Sequence, residues 1–447
     1  MAGDKPPRYW LTCVEKYLRS SIFPPLTRPN RAKLGHAHIL VEGSTTQRTF
    51  RRRIPLAVTS LDLASVRQAY PILQEMAYFN TGTYGLMAEP VLAKYLENVA
   101  QFERRGMAVG RTFHDLTEES RKRIATLING QSSEIALTGN ATDGVDLVTA
   151  GLDWTPGDEV IISDQEHPAM NFPWHYTMQR YGIVVKRFKV HRDPAESIAE
   201  IRTLISPRTR LIGTSHVTSP YGIRLPVKEI CTLAHEIGAL AFVDGAQSFA
   251  AMPINVQAIG CDFFSSNCHK WLGAPKGTGF LWARQELMER LHPAYVGAGS
   301  EVSFSPETGL VLQPNGKRFE FGTRGFAVHA SIGLALDWFD EIGWDAIYGR
   351  IEHLSGYLKR QLAEMPGVEL ATPIAWERSS GLTSFRVPGR DETVLQQRFE
   401  AARLYPRTLG KGSEKVRVST ALFNSEDEID RLVGVIRDFV SSTDRSS

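Results

Sequence analysis

Five apolar residues, Ala239-Leu240-Ala241-Phe242-Val243, run straight into Asp244-Gly245. A short, unbroken apolar run that stops at a polar residue and a glycine reads as a strand buried on both faces, the kind a parallel sheet makes. Such a sheet must be covered by helices, so this feature commits the surrounding chain to an α/β fold. The neighbouring pattern agrees. Strand-like Ile135-Ala136-Leu137-Thr138, Glu159-Val160-Ile161-Ile162, Ile183-Val184-Val185 and Leu211-Ile212-Gly213 alternate with helical stretches such as 194–205 and 227–238. That alternation over 135–287 predicts a mostly parallel sheet with helices on both faces. A short helix is expected over 61–69. After Gly322 the pattern turns helical over 328–339 and 344–365, followed by strands near 382–385 and 416–419 and a last helix over 425–439. Ser425-Glu426-Asp427-Glu428 is a capping-box signature for that last helix. This predicts a smaller C-terminal α+β domain. The expected organisation is an extension over 1–60, a segment over 61–79 packing on the small domain, a large domain over 80–322 and the small domain over 323–447.

Ligands of open α/β sheets bind outside the carboxyl ends of the strands, where Asp244 is placed. The next strand-like run ends in Asn267-Cys268-His269-Lys270-Trp271, followed by Gly273-Ala274-Pro275-Lys276-Gly277. A lysine in that frame is either a solvated turn residue or an amine kept for covalent chemistry, such as a Schiff base with an aldehyde cofactor. Asp244 taken with Lys270 favours the second reading. Pyridoxal phosphate (PLP) needs a lysine for its aldehyde and a carboxylate for its ring nitrogen. A phosphate site completes the set. Gly139-Asn140-Ala141-Thr142-Asp143-Gly144 separates a strand from a helix expected to begin at Val145, and free N–H groups at a helix start bind anions. Alone, that motif is an ordinary helix cap.

These segments together resemble the class V branch of fold-type I PLP-dependent transferases, the branch of cysteine desulfurases, selenocysteine lyases, isopenicillin N epimerases and related C–S lyases. The resemblance runs from about Tyr78 to about Val433, and the N-C-H-K-W-L-G-A-P-K-G segment is nearest the epimerase-like subgroup. It implies a seven-stranded, mostly parallel sheet and PLP as cofactor. It also implies roles. Lys270 would be the Schiff-base lysine, Asp244 the partner of the pyridinium nitrogen, and Gln247 a hydrogen-bond donor to the ring hydroxyl. His167, in Gln165-Glu166-His167-Pro168, would stack on the ring. Ala141, Thr142 and His269 would hold the phosphate, with Asn267 beside them. Thr323 would reach the phosphate of a partner subunit, which implies a homodimer with active sites at its interface. Arg417 would grip the substrate carboxylate, and Asn80 would line the substrate pocket. From the residues alone, Arg417 within Val416-Arg417-Val418 reads equally well as a surface arginine on a half-exposed edge strand.

Two departures from the pattern bear on the reaction. Desulfurases carry a nucleophilic cysteine on a C-terminal loop, and the corresponding residues, 404–415, contain none. The four cysteines, Cys13, Cys231, Cys261 and Cys268, lie upstream and read as small buried hydrophobes. Cys268 should face away from the lysine by strand alternation. Desulfurases also carry asparagine where Ser219 stands, in His216-Val217-Thr218-Ser219-Pro220. The expected chemistry is Cα deprotonation of an amino acid or amino-acid conjugate, epimerase-like or C–S lyase-like, with class V aminotransfer as the alternative. A non-catalytic PLP-binding protein is the alternative from another class. Gly410 and Gly412 suggest an open entrance and a substrate larger than cysteine.

Length and composition suit such an enzyme. A chain of 447 residues can hold two domains, and 42% hydrophobic and 22% charged residues are ordinary. A net charge of +2 argues against nucleic acid as a main partner. Unpaired cysteine spacing predicts a reducing, cytoplasmic setting and no metal site. No apolar run reaches the roughly 18 residues of a membrane span. Residues 1–60 hold eleven Lys/Arg against three Asp/Glu. They read as a disordered basic extension or a start assigned too early, while Arg51-Arg52-Arg53 loosely resembles a targeting signal.

Overall fold

The computed structural model describes residues 61–408 and 415–442. The expected basic extension, and the part of the 404–415 loop that holds Gly410 and Gly412, lie outside the described residues. Seven strands form the main sheet: β1 (Ile135–Thr138), β2 (Glu159–Ser163), β3 (Val184–Phe188), β4 (Thr209–Ser215), β5 (Leu240–Asp244), β6 (Phe263–Asn267) and β7 (Gly279–Ala283). Their order is β1-β7-β6-β5-β4-β2-β3. Only β7 opposes its neighbours, pairing antiparallel with β1 and β6. The other pairs are parallel.

The continuous apolar run of β5 has a direct packing cause. Ala241 and Val243 enter one core, and Phe242 enters a second core on the opposite face. Both faces are sealed, so no position along the strand can be polar until its end. Fully burying a side chain like Phe242 contributes roughly 1.5–3 kcal/mol. Asp244 is the first residue past that seal, and its main chain pairs with Ser215 at the same level of β4.

Helix α1 (Ala141–Gly151) starts four residues before the expected Val145. The difference comes from Asn140, whose side chain accepts from the Asp143 N–H and caps the helix earlier. Helix α2 (Pro168–Tyr181) has His167 as its N-cap and Pro168 in its first turn. The single helix expected over 328–339 is two, Phe326–Ala330 and α3 (Ile332–Ile342). They meet at Ser331, whose hydroxyl donates to the Ala327 carbonyl at 2.7 Å, the back-bonding that bends helices. Helix α4 (Trp344–Ala363) follows.

A four-stranded sheet lies C-terminal to α4: β8 (Glu369–Leu370), β9 (Leu382–Arg386), β10 (Arg407–Thr408) and β11 (Lys415–Ser419), in the order β8-β9-β11-β10. Its pairs are antiparallel. A separate core joins it to Leu354, Leu358 and Leu362 of α4 and to Ile429, Leu432 and Ile436 of α5 (Glu426–Ser441). The capping box of α5 forms as expected, Ser425 and Glu428 each bonding the other's backbone N–H. Strand β11 is an interior strand, so the edge-strand reading of Arg417 is corrected. Val416 to Ser419 are all buried, because β9 and β10 flank them. Among the described residues no helix is long and apolar enough to cross a membrane.

Candidate active site

The carboxyl ends of β4, β5 and β6, the start of α1 and the cap of α2 converge on a cavity of about 310 Å³. Eight of the expected residues line it: Ala141, Thr142, His167, Asp244, Gln247, Asn267, His269 and Lys270. Asn80 and Arg417 stand one contact behind the wall. Asn80 Oδ1 accepts from the Thr83 hydroxyl at 2.7 Å, and Arg417 Nη2 donates to the same hydroxyl at 2.8 Å. Thr323 is exposed and does not line this cavity in the single chain.

Lys270 follows β6 in a turn, and burial pulls its amine down to about 8. Asp244 opposes that shift, whereas Arg417 and Arg407 add to it. Asp244 is buried, which raises its pKa against the opposing effects of the Ala246 N–H and Lys270. Its Oδ1 accepts from the Ala246 N–H at 2.8 Å, and among the described residues Oδ2 has no hydrogen-bond partner, which leaves it for a ligand. His167 is pushed to about 4 by the enclosure of its ring and by the charges of Lys270, Arg407 and Arg417. Its Nδ1 accepts from the Ala169 N–H at 3.1 Å, so the neutral ring carries its proton on Nε2. His269 falls to about 4 for the same kind of reason, burial first and then Lys270 and Lys276. Gln247 is braced at both ends. Its Nε2 donates to the Gly82 carbonyl at 2.8 Å, and its Oε1 accepts from the Trp271 indole at 3.1 Å. One amide N–H remains for a ligand.

Close backbone approach sets the lysine in place. A Cβ on Gly85 would stand 1.7 Å from the Lys270 carbonyl oxygen, so only glycine lets this segment pass. The Gly85 N–H donates to the His269 carbonyl at 2.9 Å, and Lys276 Nζ donates to the Gly85 carbonyl at 2.8 Å. Lys276 is thereby engaged with backbone, away from Asp244. A Cβ on Gly144 would meet the Ser265 hydroxyl at 2.2 Å, so glycine there lets α1 lie against β6.

The cavity fits PLP on the chemistry of its walls. Asn267 Oδ1 and His269 Nδ1 are buried polar atoms without partners. The N–H groups of Ala141 and Thr142 open α1 before its first internal bond. Asp244, Lys270 and this cluster of donors could take the ring nitrogen, the aldehyde and the phosphate respectively.

Several residues at the site take their contacts from the fold. Ser219 anchors Arg417, accepting from Nη1 through its carbonyl at 2.9 Å and its hydroxyl at 3.0 Å. Glu166, behind the cavity, accepts from the Ser215 hydroxyl and N–H and from Ser163. Arg407 lines the cavity and was not anticipated. Only its register opposite Arg417 could have revealed it. Cys231, Cys261 and Cys268 are buried, and burial pushes their thiols up, Cys231 to about 12.

Known proteins are similar to this chain. The family model Aminotransferase class-V matches residues 87–432. An isopenicillin N epimerase of Streptomyces clavuligerus is 32% identical over 71% of this chain and 83% of its own length. A cysteine desulfurase of Dickeya dadantii is 31% identical over 82% of this chain and 94% of its own. Among solved structures, the cystine C–S lyase C-DES in complex with its product cysteine persulfide superimposes with a TM-score of 0.76 at 28% identity. It covers 83% of this chain and 99% of that one.

Proposed function

The chain belongs to the aminotransferase class-V family and is a pyridoxal-phosphate-dependent enzyme; from that premise we propose that it removes the Cα proton of an α-amino acid or amino-acid conjugate, ending in epimerisation or C–S cleavage. The observation that carries this reading is that Lys270 lines one cavity with Asp244 and with Thr83, the residue Arg417 bonds from behind. Bound PLP supplies an aldehyde that receives the substrate amine and an electron sink for charge developing at Cα. The protein's own groups do the rest. Lys270, near 8, is partly unprotonated at neutral pH and can accept the Cα proton. Asp244 would hold a positive charge at the ring nitrogen. Ala141, Thr142, Asn267 and His269 would hold the phosphate, and Gln247 and the neutral ring of His167 would orient the cofactor. Arg417, whose Nε is buried without a partner and whose Nη2 bonds the wall residue Thr83, would orient the substrate carboxylate. A guanidinium edge pairs both oxygens of a carboxylate.

A persulfide relay is outside this reading. The 404–415 loop has no cysteine, and the buried thiols stay protonated. The division into a large domain (80–322) and a small one (323–447) belongs to the same proposal. The separate core around β9, β11, the later turns of α4 and α5 supports a small domain, while α3 and the first turns of α4 pack in the large-domain core, so the packing favours a boundary within α4 over one at 322. A symmetric homodimer follows if Thr323 serves as a phosphate ligand from the neighbouring subunit.

The test is incubation of the holoenzyme in deuterated water with a panel of amino acids and sulfur conjugates. Cα deuterium with inverted configuration reports epimerisation. An α-keto acid with ammonia or a released sulfur fragment reports cleavage. Conversion of PLP to its amine form, reversed by a keto acid, reports transamination and rejects the proposal, as does rapid persulfide formation on any cysteine.

A further inference from the structure

Glu166 is 7% exposed and lies in the turn between β2 and the His167 cap of α2. Its carboxylate takes four donors. Oε1 accepts from the Ser163 hydroxyl at 2.5 Å, the Ser215 N–H at 3.0 Å and the Thr214 hydroxyl at 3.3 Å. Oε2 accepts from the Ser215 hydroxyl at 2.5 Å. Successive side chains of a strand leave opposite faces. Thr214 and Ser215 nevertheless reach one carboxylate, so Glu166 lies across the end of β4 and joins it to the end of β2. That strand end is cavity wall. Ser215 lines the cavity and stands in register with Asp244, whose carbonyl accepts from the His216 N–H at 2.8 Å. Glu166 is therefore bonded to the strand neighbour of Asp244 and is continuous along the chain with His167.

The contacts are those of an ionised acid. Both hydroxyls stand at the short distance of an O–H donating to a carboxylate, and the Ser215 N–H has only a proton to give. Ser163 Oγ accepts from the Gln165 N–H at 3.3 Å, which leaves its own proton for Glu166. Burial and the charge of Asp244 push the Glu166 pKa up, and the bonds from Ser163 and Ser215 pull it down. On its far side Glu166 borders a second cavity, whose charged walls are Asp164, Lys189, Arg192, Glu369, Arg386 and Lys415. Two buried carboxylates close enough to repel are costly to hold together. A positive charge placed at Asp244 Oδ2 relieves both. The protonated ring nitrogen of PLP is such a charge.

We propose that Glu166 is a positioning residue for the cofactor: its carboxylate locks the ends of β2 and β4, and its charge behind Asp244 strengthens the hold on a protonated ring nitrogen. The inference rests on the reading of Asp244 as the partner of that nitrogen. Glu166 itself does not line the cavity, so it acts through Ser215 and Asp244 and not by touching the cofactor.

The test compares two cofactors on the full chain, stripped and titrated again: PLP, and a deaza analogue in which C–H replaces the ring nitrogen. The quantity read is Kd from cofactor absorbance, independently of turnover. Glu166→Gln keeps the shape of the side chain and removes its charge, and the serine hydroxyls can turn to meet the amide. It should weaken PLP about tenfold, the worth of one pKa unit at the ring nitrogen, and leave the analogue within about threefold. Glu166→Ala removes the brace as well and should weaken both cofactors. The ratio of the two Kd values cancels any loss of folded protein. A Glu166→Gln protein that binds both cofactors as the wild type does overturns the inference. So does one that weakens both equally, which would make Glu166 a brace alone. If Glu166→Gln does not fold, Ser163→Ala carries the test. Losing that donor makes Glu166 easier to protonate, so the preference for PLP should fall as pH is lowered; a preference unchanged at every pH overturns the proposal. Wild-type preference for PLP with no effect of either variant leaves the role of Asp244 intact. A wild type that binds both cofactors equally sinks that role and this inference together.

Discussion

Replacing Gly85 by alanine should inactivate the enzyme without touching a functional side chain. The added Cβ would stand 1.7 Å from the Lys270 carbonyl oxygen and 2.8 Å from that of His269. Separations under 3.0 Å are not tolerated by real Cβ atoms, so one of the two backbones must move by at least about 1 Å. The 82–85 segment has little freedom to yield. It is held to His269 through the Gly85 N–H, to Lys276 through the Gly85 carbonyl, and to Tyr78 through the Tyr84 carbonyl. The displacement therefore falls largely on the turn that carries Lys270. A misplacement of about 1 Å in a reacting group can lower the rate about 100-fold, because reacting atoms must be held at near-attack distance. The expected result is a fall in kcat/KM of about that size, with a loss of about 1–3 kcal/mol of stability from overpacking. Gly349→Ala is the matched control. Gly349 lies exposed within α4, and a Cβ there meets nothing within 4 Å. Helix propensity predicts that Gly349→Ala raises the melting temperature slightly and leaves turnover unchanged. Steady-state exchange kinetics and thermal melts of both variants decide the matter. A Gly85→Ala enzyme within about threefold of wild type would refute the claim that this contact positions the lysine.

Two further outcomes follow from the same geometry. The pH dependence of kcat should show a limb near 8 that rises with pH, because Lys270 accepts a proton only when unprotonated. Arg407 is one of the charges lowering that pKa, so Arg407→Gln should move the limb to higher pH; a limb that stays put or moves down contradicts the assignment. The protein should sediment as a dimer at working concentrations, since Thr323 is exposed on the single chain and can meet a phosphate only in another subunit's cavity; a monomer retaining full activity on dilution rejects this.

The legibility of this chain in its sequence followed the range of the interactions involved. β5 could be read because burial on both faces removes every polar residue from it, and that demand is purely local. The capping box of α5 could be read because Ser425 and Glu428 satisfy each other within four residues. Asp244 and Lys270 could be placed because strand ends are where an α/β sheet exposes functional groups, so their position relative to a strand carries the information. What the sequence missed or left open lies where tertiary context decides. Ser331 divides a helix by bonding back to Ala327, an option open to any serine and exercised here beside Asn98. Arg417 in a Val-Arg-Val alternation is indistinguishable from an edge arginine until β10 is laid beside it. Arg407 is the instructive case. Its strand is two residues long, too short for any periodicity, and its importance comes from standing opposite a residue ten positions away and sharing a hydroxyl 324 positions away. The residues that line the cavity from element ends were therefore legible, because the fold fixes them there. Arg407 was not, because its place at the cavity is defined by which strands become neighbours.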